Sequence, residues 1–320
     1  MKRDMVAEME DLDHDLETEF LPEASSSDSN EAPDALETLN RDLRRASSSL
    51  NILEARFLVD YYYQIQKMRI RAGNQVFSMV RDDGSHSEPH EIFTWTMENS
   101  KVFETQIQKA LDSYSLSSEL GLWARSIKGI GPVITAGLLA HIDIEKAGNP
   151  SGLWRFAGYD PTSVWSKGEK RPWNARLKTL CWKIGESFVK VKGRGSYYGE
   201  KYTERREEED RKNLLGHYEE IALNRSKKVG KSTEAYKYYS RGKLPPGHMY
   251  ARVKRWTVKL FLSHYFEVGY EIITGEKPEK PWIIALGGHQ GYFPPPGWER
   301  GKKTGLGSRH PKKKVHLVEM

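Results

Sequence analysis

Between Ile127 and Ala136 two glycines, Gly129 and Gly131, flank Ile130 and stand directly ahead of Pro132. A glycine turn that runs straight into a helix lets the backbone approach a phosphate closely. The free N–H groups and positive dipole end of that helix then favour an anion. Lys128 adds a point charge, Thr135 lies in the same candidate site, and Leu138 and Leu139 pack the second helix down. The stretch from Leu122 to Leu139 is therefore read as a helix-hairpin-helix-like nucleic-acid-binding element. The plainer alternative is an ordinary corner between two helices.

A basic stripe follows. Arg176, Lys183 and Lys190 are spaced by seven, which puts them near one face of a helix and away from Leu177, Leu180 and Ile184. Lys192-Gly193-Arg194-Gly195 comes next, then Tyr197 and Tyr198. Cations alternating with aromatics suit a strand whose phosphates pair with Lys or Arg and whose bases stack; the two tyrosines are equally at home as packing residues. Arg252, Lys254, Arg255 and Lys259 form a second basic cluster. A third runs through the tail, from Arg300 to Lys314.

Hydroxyls are the remaining candidates. Thr162 to Lys170 is a polar loop in which Ser166 or Ser163 could act as a nucleophile, with Lys167 and Lys170 supplying electropositive surroundings; Lys167, Lys170 and Arg171 are also candidate nucleic-acid contacts. Read without that role, the segment is simply a loop. The ten histidines show no paired metal-ligand spacing and the single cysteine, Cys181, falls on an apolar helix face, so no metal site and no cofactor are expected.

The elements that must position these residues read as helices. Leu39, Leu43, Ala46, Leu50, Leu53, Phe57, Tyr61, Ile65 and Met68 recur every three or four residues, predicting one long amphipathic helix with a coiled-coil-like seam that ends near Ala72-Gly73-Asn74. A turn-rich stretch, Arg81 to Ser85, precedes a second helix carrying Phe93, Val102, Phe103, Ile107, Leu111 and Tyr114. Two such helices make an antiparallel arm. Asn149-Pro150 opens a short helix that Gly158 closes, and Asn174 caps the basic helix. Glu200 to Asn224 is so charged that it reads as solvent-facing, and Pro245-Pro246-Gly247 introduces a last long helix. Trp282 to Leu286 is the only strand candidate.

Charge is divided unevenly along the 320 residues. Residues 1–40 hold 13 Asp or Glu against 2 Lys or Arg, whereas the other 280 hold 31 against 48. A body so basic suits a polyanion, because each neutralised phosphate releases condensed counterions; it also suits mere solubility. The acidic leader reads as disordered, either competing for the basic face or only solubilising. Mean hydropathy is −0.70, no run approaches a membrane span, and the N-terminus lacks an apolar signal region. A cytoplasmic location is expected.

Ile127 to Ile142, followed by Leu153-Trp154-Arg155-Phe156-Ala157-Gly158-Tyr159-Asp160-Pro161, resembles the C-terminal domain of the one-ten insertion-sequence (bridge-RNA-guided) transposases. The likeness runs from about Ser118 to Glu200 and more loosely to Ile273. The same module is similar to the Nop-like domain of RNA-guided ribonucleoproteins and of TIGR-associated (Tas) proteins, which also place a coiled-coil arm beside it. This resemblance implies binding of a structured guide RNA and positioning of DNA. It makes Ser166 the nearest counterpart of the transposase serine, with Ser163 second. The RuvC-like domain of the transposases needs apolar strands ending in paired acids. Asp11, Asp13 and Asp15 alternate without any such strand, so that domain is expected to be missing.

The expectation is thus an all-α chain: an acidic tail (1–35), a coiled-coil arm (36–115), a helix-hairpin-helix, Nop-like domain (116–275) and a basic Gly/Pro-rich tail (276–320). It would bind guide RNA, DNA or both, self-associate through the arm, and leave cutting to a RuvC-like nuclease in trans. The alternatives are a serine-dependent transposase or recombinase, and a structural protein whose arm mediates assembly.

Overall fold

The computed structural model describes residues 38–81, 91–279 and 291–299. Its regular elements are all helical, and there is no strand among the described residues. The expected acidic tail, the Arg81–Ser85 turn beyond Arg81, the Trp282–Leu286 strand and the basic cluster from Arg300 onward lie outside them.

The first expected helix is two. Helix α1 (Arg41–Ala46) runs into a 3-10 turn at Ser47–Ser49, and α2 spans Ile52–Arg81. The break is chemical. The hydroxyls of Ser47, Ser48 and Ser49 donate back to the carbonyls of Leu43, Arg45 and Ala46 at 2.9, 2.8 and 2.7 Å, offering the backbone a competitor to the helix. Asn51 then starts afresh: its Oδ1 accepts from the N–H of Leu53 and Glu54, while the Glu54 carboxylate accepts from Asn51 N at 2.7 Å. This is a reciprocal capping box. At the other end α2 runs past Gly73, where a Cβ would sit 3.6 Å from Met97 Sδ, in ordinary contact.

Met97 belongs to α3 (Glu91–Ser115), which runs antiparallel to α2: Gly73 faces Met97, whereas Tyr62 and Gln66 bond Glu104 at 3.0 and 2.9 Å. Arg69 Nε closes the same carboxylate at 2.5 Å. Ala55, Val59, Tyr62 and Ile65 pack against Ile107, Leu111 and Tyr114, and the cluster continues into Val133, Ala136 and Ala140. The base of the pair is thereby built into the body of the protein.

Those last three residues lie on α5 (Pro132–His141), which follows α4 (Glu119–Ser126) across the glycine turn. Helix α5 is buried on nearly every side, and its small residues make that feasible. A Cβ on Gly137 would lie 2.7 Å from Leu180 and 3.5 Å from Val59, so α2 and α8 both approach its backbone. Helices α6 (Ile144–Ala147) and α7 (Pro150–Phe156) come next, then α8 (Ala175–Lys190). The Asn149 and Asn174 side chains cap α7 and α8 by accepting from Gly152 N and Leu177 N. Gly158, at φ +70°, ends α7 with the paired bonds Gly158 N to Arg155 O and Tyr159 N to Trp154 O.

The chain ends in α9 (Tyr197–Leu214), α10 (Glu219–Ser226), α11 (Glu234–Tyr239) and α12 (Pro246–Thr274). The expectation that Glu200 to Asn224 faces solvent holds for much of the stretch but not for all of it. Tyr202 and Glu209 are buried where α9 packs along α12, Glu209 between Arg205 and Arg252, and Tyr218 and Ala222 are buried against Tyr239, Leu244 and Met249. The main core joins Trp123, Leu138, Leu153, Leu177, Ile184, Phe188, Tyr198, Phe261 and Tyr265 from α4, α5, α7, α8, α9 and α12. A final segment, 291–299, is fastened to it: Trp123 Nε1 donates to Pro296 O at 3.0 Å and Trp298 Nε1 to Glu271 Oε2 at 2.9 Å. No described helix is long and apolar enough to cross a membrane.

Candidate nucleic-acid interface

The turn between α4 and α5 holds Ile127 and Ile130 inward, both nearly inaccessible, and leaves Lys128 exposed between them. Gly129 has φ +103°, a conformation that an L side chain strains to adopt. Its α-carbon is pressed against α8, where a Cβ would meet Val191, Phe188 and Ser187 at 3.2 to 3.3 Å. Gly131 has an ordinary φ of −93° and precedes Pro132 at the first helical position. No side chain caps α5, and a Cβ on Gly131 would meet nothing within 4 Å. The start of α5 is therefore open on the side where Gly131 lacks a side chain.

This turn is locked to a second one. Ser187 Oγ donates to Gly129 O at 2.5 Å, Ser196 Oγ donates to Lys128 O at 3.2 Å, and the Lys128 ammonium donates to Arg194 O. Gly193 and Gly195, at φ +73° and +69°, let the chain reverse between α8 and α9 at this point. Lys128, Gly129 and Arg194 are thus brought together, and Lys190 and Lys192 are exposed at the same end of α8, Lys192 reaching 5.6 Å over the Tyr202 ring. Ser187 and Ser196, which make the lock, were not singled out from sequence; Ser196 carried a signal, since it precedes a helix and caps it through Gly199 N.

The basic stripe continues from this surface along α8. Lys183 lies 4.1 Å over the ring of Tyr63. Burial, with the neighbouring charges of Lys67 and Lys190, holds its ammonium below the ordinary lysine range. Lys67 is a cation from α2 that the sequence pattern did not reveal. At the start of α8, Arg176 pairs with Asp60 at 2.7 Å while keeping more than half of its side chain exposed.

Other expected residues fall elsewhere. Thr135 is fully buried, one turn inside α5, so its hydroxyl does not reach the surface. The Ser163–Ser166 loop is anchored at the far end of α8: Trp165 packs on Trp173, Arg171 lies 4.9 Å over Trp165, and Lys178 lies 4.0 Å over Trp173. Sixteen residues of α8, about 24 Å of helix, separate that anchor from the glycine turn. Lys167, Lys170 and Ser166 are exposed and Ser163 is half-buried. Ser166 bonds through its backbone N–H to Glu169 at 3.3 Å, and among the described residues no side chain is hydrogen-bonded to either serine hydroxyl. Tyr198 is a core residue stacked on Phe188, with its hydroxyl 2.7 Å from His264 Nδ1; Tyr197 packs edge-on against it. Arg252 and Arg255 sit on α12, where Arg252 Nε meets Glu209 at 2.5 Å and Arg255 is exposed. Among the described residues no three His, Cys, Asp or Glu side chains gather as metal ligands.

What the arrangement offers chemically is a rim of exposed cations at two joined turns, one of which leads into a helix that no side chain caps. The rim is rigid, because the Lys128 ammonium and the Ser187 and Ser196 hydroxyls bond backbone carbonyls across the two turns. In comparisons with known proteins, no family model, no curated protein and no solved structure matches the chain.

Proposed function

We propose that the chain binds nucleic acid, gripping a phosphate backbone where the α4–α5 turn meets the Lys192–Gly195 turn. The observation that carries this reading is the lock between Lys128 and Arg194, which fixes two glycine turns side by side, with Lys128 and Arg194 exposed, Lys190 and Lys192 exposed at the same end of α8, and no side chain capping α5. A preorganised set of cations and backbone donors is what phosphate contacts require.

Following the resemblance of Ile127 to Pro161, the partner is a structured guide RNA together with DNA, and the chain holds these strands while a RuvC-like nuclease in trans cuts. A holding role is favoured over serine chemistry because, among the described residues, no base is hydrogen-bonded to the hydroxyl of Ser163 or Ser166. The α2–α3 pair serves as a coiled-coil arm for self-association, supported by the exposed apolar residues Leu53 and Phe57 on α2, 71% and 65% accessible.

The test is a titration of full-length protein against labelled RNA and duplex DNA over a salt series. The reading predicts binding in which log K falls linearly with log salt, by roughly 0.9 per duplex phosphate contacted. Absence of salt-dependent binding to either probe would refute it.

A further inference from the structure

Helix α12 places Arg252, Arg255, Trp256 and Lys259 within about 100° of arc. Lys254, Val258 and Phe261 occupy the other side and are buried. The outer face points away from Lys254 and Val258, the α12 residues that pack on Gly185 of α8.

Across this face α9 supplies Arg205, whose guanidinium lies 5.2 Å over Trp256. Arg205 and Arg252 converge on Glu209, a carboxylate only 1% accessible, which also accepts from the Tyr218 hydroxyl at 2.6 Å. Arg252 stacks 4.7 Å over the Tyr218 ring, yet keeps 38% of its side chain exposed. Lys259 stands 4.9 Å over Trp154. Burial holds Lys259 below its ordinary range against the pull of Asp160, with the charges of Arg255, Arg252 and Arg205 adding to the effect. Two of these cations, Arg205 and Arg252, share one buried carboxylate, and Arg255 and Lys259 stand beside them on the same helix face. The other acids nearby, Glu208 and Asp160, are each engaged by a further cation, Lys212 and Arg155.

A buried carboxylate holding two arginines sets guanidinium geometry, and guanidinium forks match phosphate oxygens. We infer that the α9–α12 face is a second, separate phosphodiester-binding surface, in which Glu209 is a positioning residue for Arg252 and Arg205 while Arg255 and Lys259 complete the contact. This rests on the reading that the chain binds nucleic acid, and it adds a site independent of the glycine-turn rim.

The experiment uses full-length protein, a fluorescein-labelled mixed-sequence DNA duplex and a labelled single-stranded RNA, with log K measured against log salt. The double variant Arg255→Gln/Lys259→Gln should flatten the slope by about 1.8 on the duplex or about 1.4 on the single strand, whichever occupies this face. That loss should add to the one caused by Lys190→Gln/Arg194→Gln. Glu209→Gln removes a negative charge, so simple electrostatics predicts tighter binding; positioning predicts binding about fivefold weaker. Arg252→Lys, which keeps the charge and loses the fork, should weaken binding likewise. Melting temperatures identify any variant that fails to fold, and Arg252→Lys carries the positioning test if Glu209→Gln does fail. An unchanged slope in Arg255→Gln/Lys259→Gln, beside a flattened one in Lys190→Gln/Arg194→Gln, overturns this inference alone. Tighter or unchanged binding by folded Glu209→Gln and Arg252→Lys overturns the role of Glu209. Wild-type protein that binds neither probe overturns the broader reading together with this one.

Discussion

Ser187 Oγ lies 2.5 Å from the carbonyl oxygen of Gly129, so the last turn of the basic helix holds the glycine turn in place. The two glycines of that turn consequently differ in what they tolerate. Gly129→Ala combines a φ of +103° with contacts of 3.2 to 3.3 Å, and should cost about 1–3 kcal/mol of stability. Gly131→Ala has open space and an ordinary φ, so its melting temperature should stay near wild type. The added methyl would nevertheless stand between a phosphate and the start of α5, and affinity should fall several-fold. Thermal unfolding beside a binding titration separates the two effects; a destabilised Gly131→Ala would contradict the assignment.

Glu104 ties α2 to α3 through Tyr62, Gln66 and Arg69. Burial raises its pKa, but the three hydrogen bonds and the Arg69 charge outweigh burial and leave it below the ordinary glutamate value. A carboxyl depressed in the folded state contributes stability that is complete above the unfolded pKa and is lost as pH falls through the folded one. Glu104→Ala should therefore cost about 2 kcal/mol near neutral pH. The gap to wild type should narrow in acid. Denaturant melts at pH 7 and pH 3 check this, and a gap constant with pH would count against it.

His264 behaves in the opposite sense to a paired histidine. Its Nε2 lies 2.8 Å from Phe293 O, which can only accept, so Nε2 carries the proton and Nδ1 accepts from Tyr198. Burial lowers its pKa to about 4, despite the opposing pull of the Phe293 carbonyl. The unfolded chain thus takes up this proton first, near pH 6.5. Stability is full above that value and declines as pH falls towards 4, by up to about 3 kcal/mol from this residue. Melting temperature should drop between pH 6.5 and 4.5, and His264→Gln should drop less. An equal drop in both proteins would assign the effect to other groups.

Local signals made much of this fold legible in the sequence. Asn149, Pro150, Asn174 and Gly158 mark helix ends through bonds within a few residues, and the helices begin and end there. The break at Ser47–Asn51 was hidden because the apolar period from Leu39 to Phe57 runs straight through it, and periodicity is blind to the Asn51–Glu54 capping box. The burial of Glu209 was also hidden, since it depends on Arg252, 43 residues further on. At the candidate site, Lys128, Lys190 and Arg194 could be singled out by type and spacing. Their convergence could not, because it is set by Ser187 and Ser196 bonding carbonyls roughly sixty residues earlier.

Self-association through the α2–α3 pair is testable on the exposed apolar side of α2. Phe57 stacks on Tyr61 with centroids 5.8 Å apart, and both are solvent-exposed. Phe57→Glu touches no described core cluster, so it should leave the fold intact while shifting sedimentation equilibrium towards monomer. A wild-type protein that is monomeric at high micromolar concentration would remove the arm's proposed role.

The central claim is that the rim around Gly131 grips a phosphate backbone, and the most direct measurement is the salt dependence of nucleic-acid affinity in Lys190→Gln/Arg194→Gln beside wild type. Both residues are exposed, so the fold should be unaffected. The account predicts a slope of log K against log salt shallower by about 1.8 on duplex DNA, or about 1.4 on single-stranded RNA. A folded double variant whose slope and affinity equal those of wild type would contradict it.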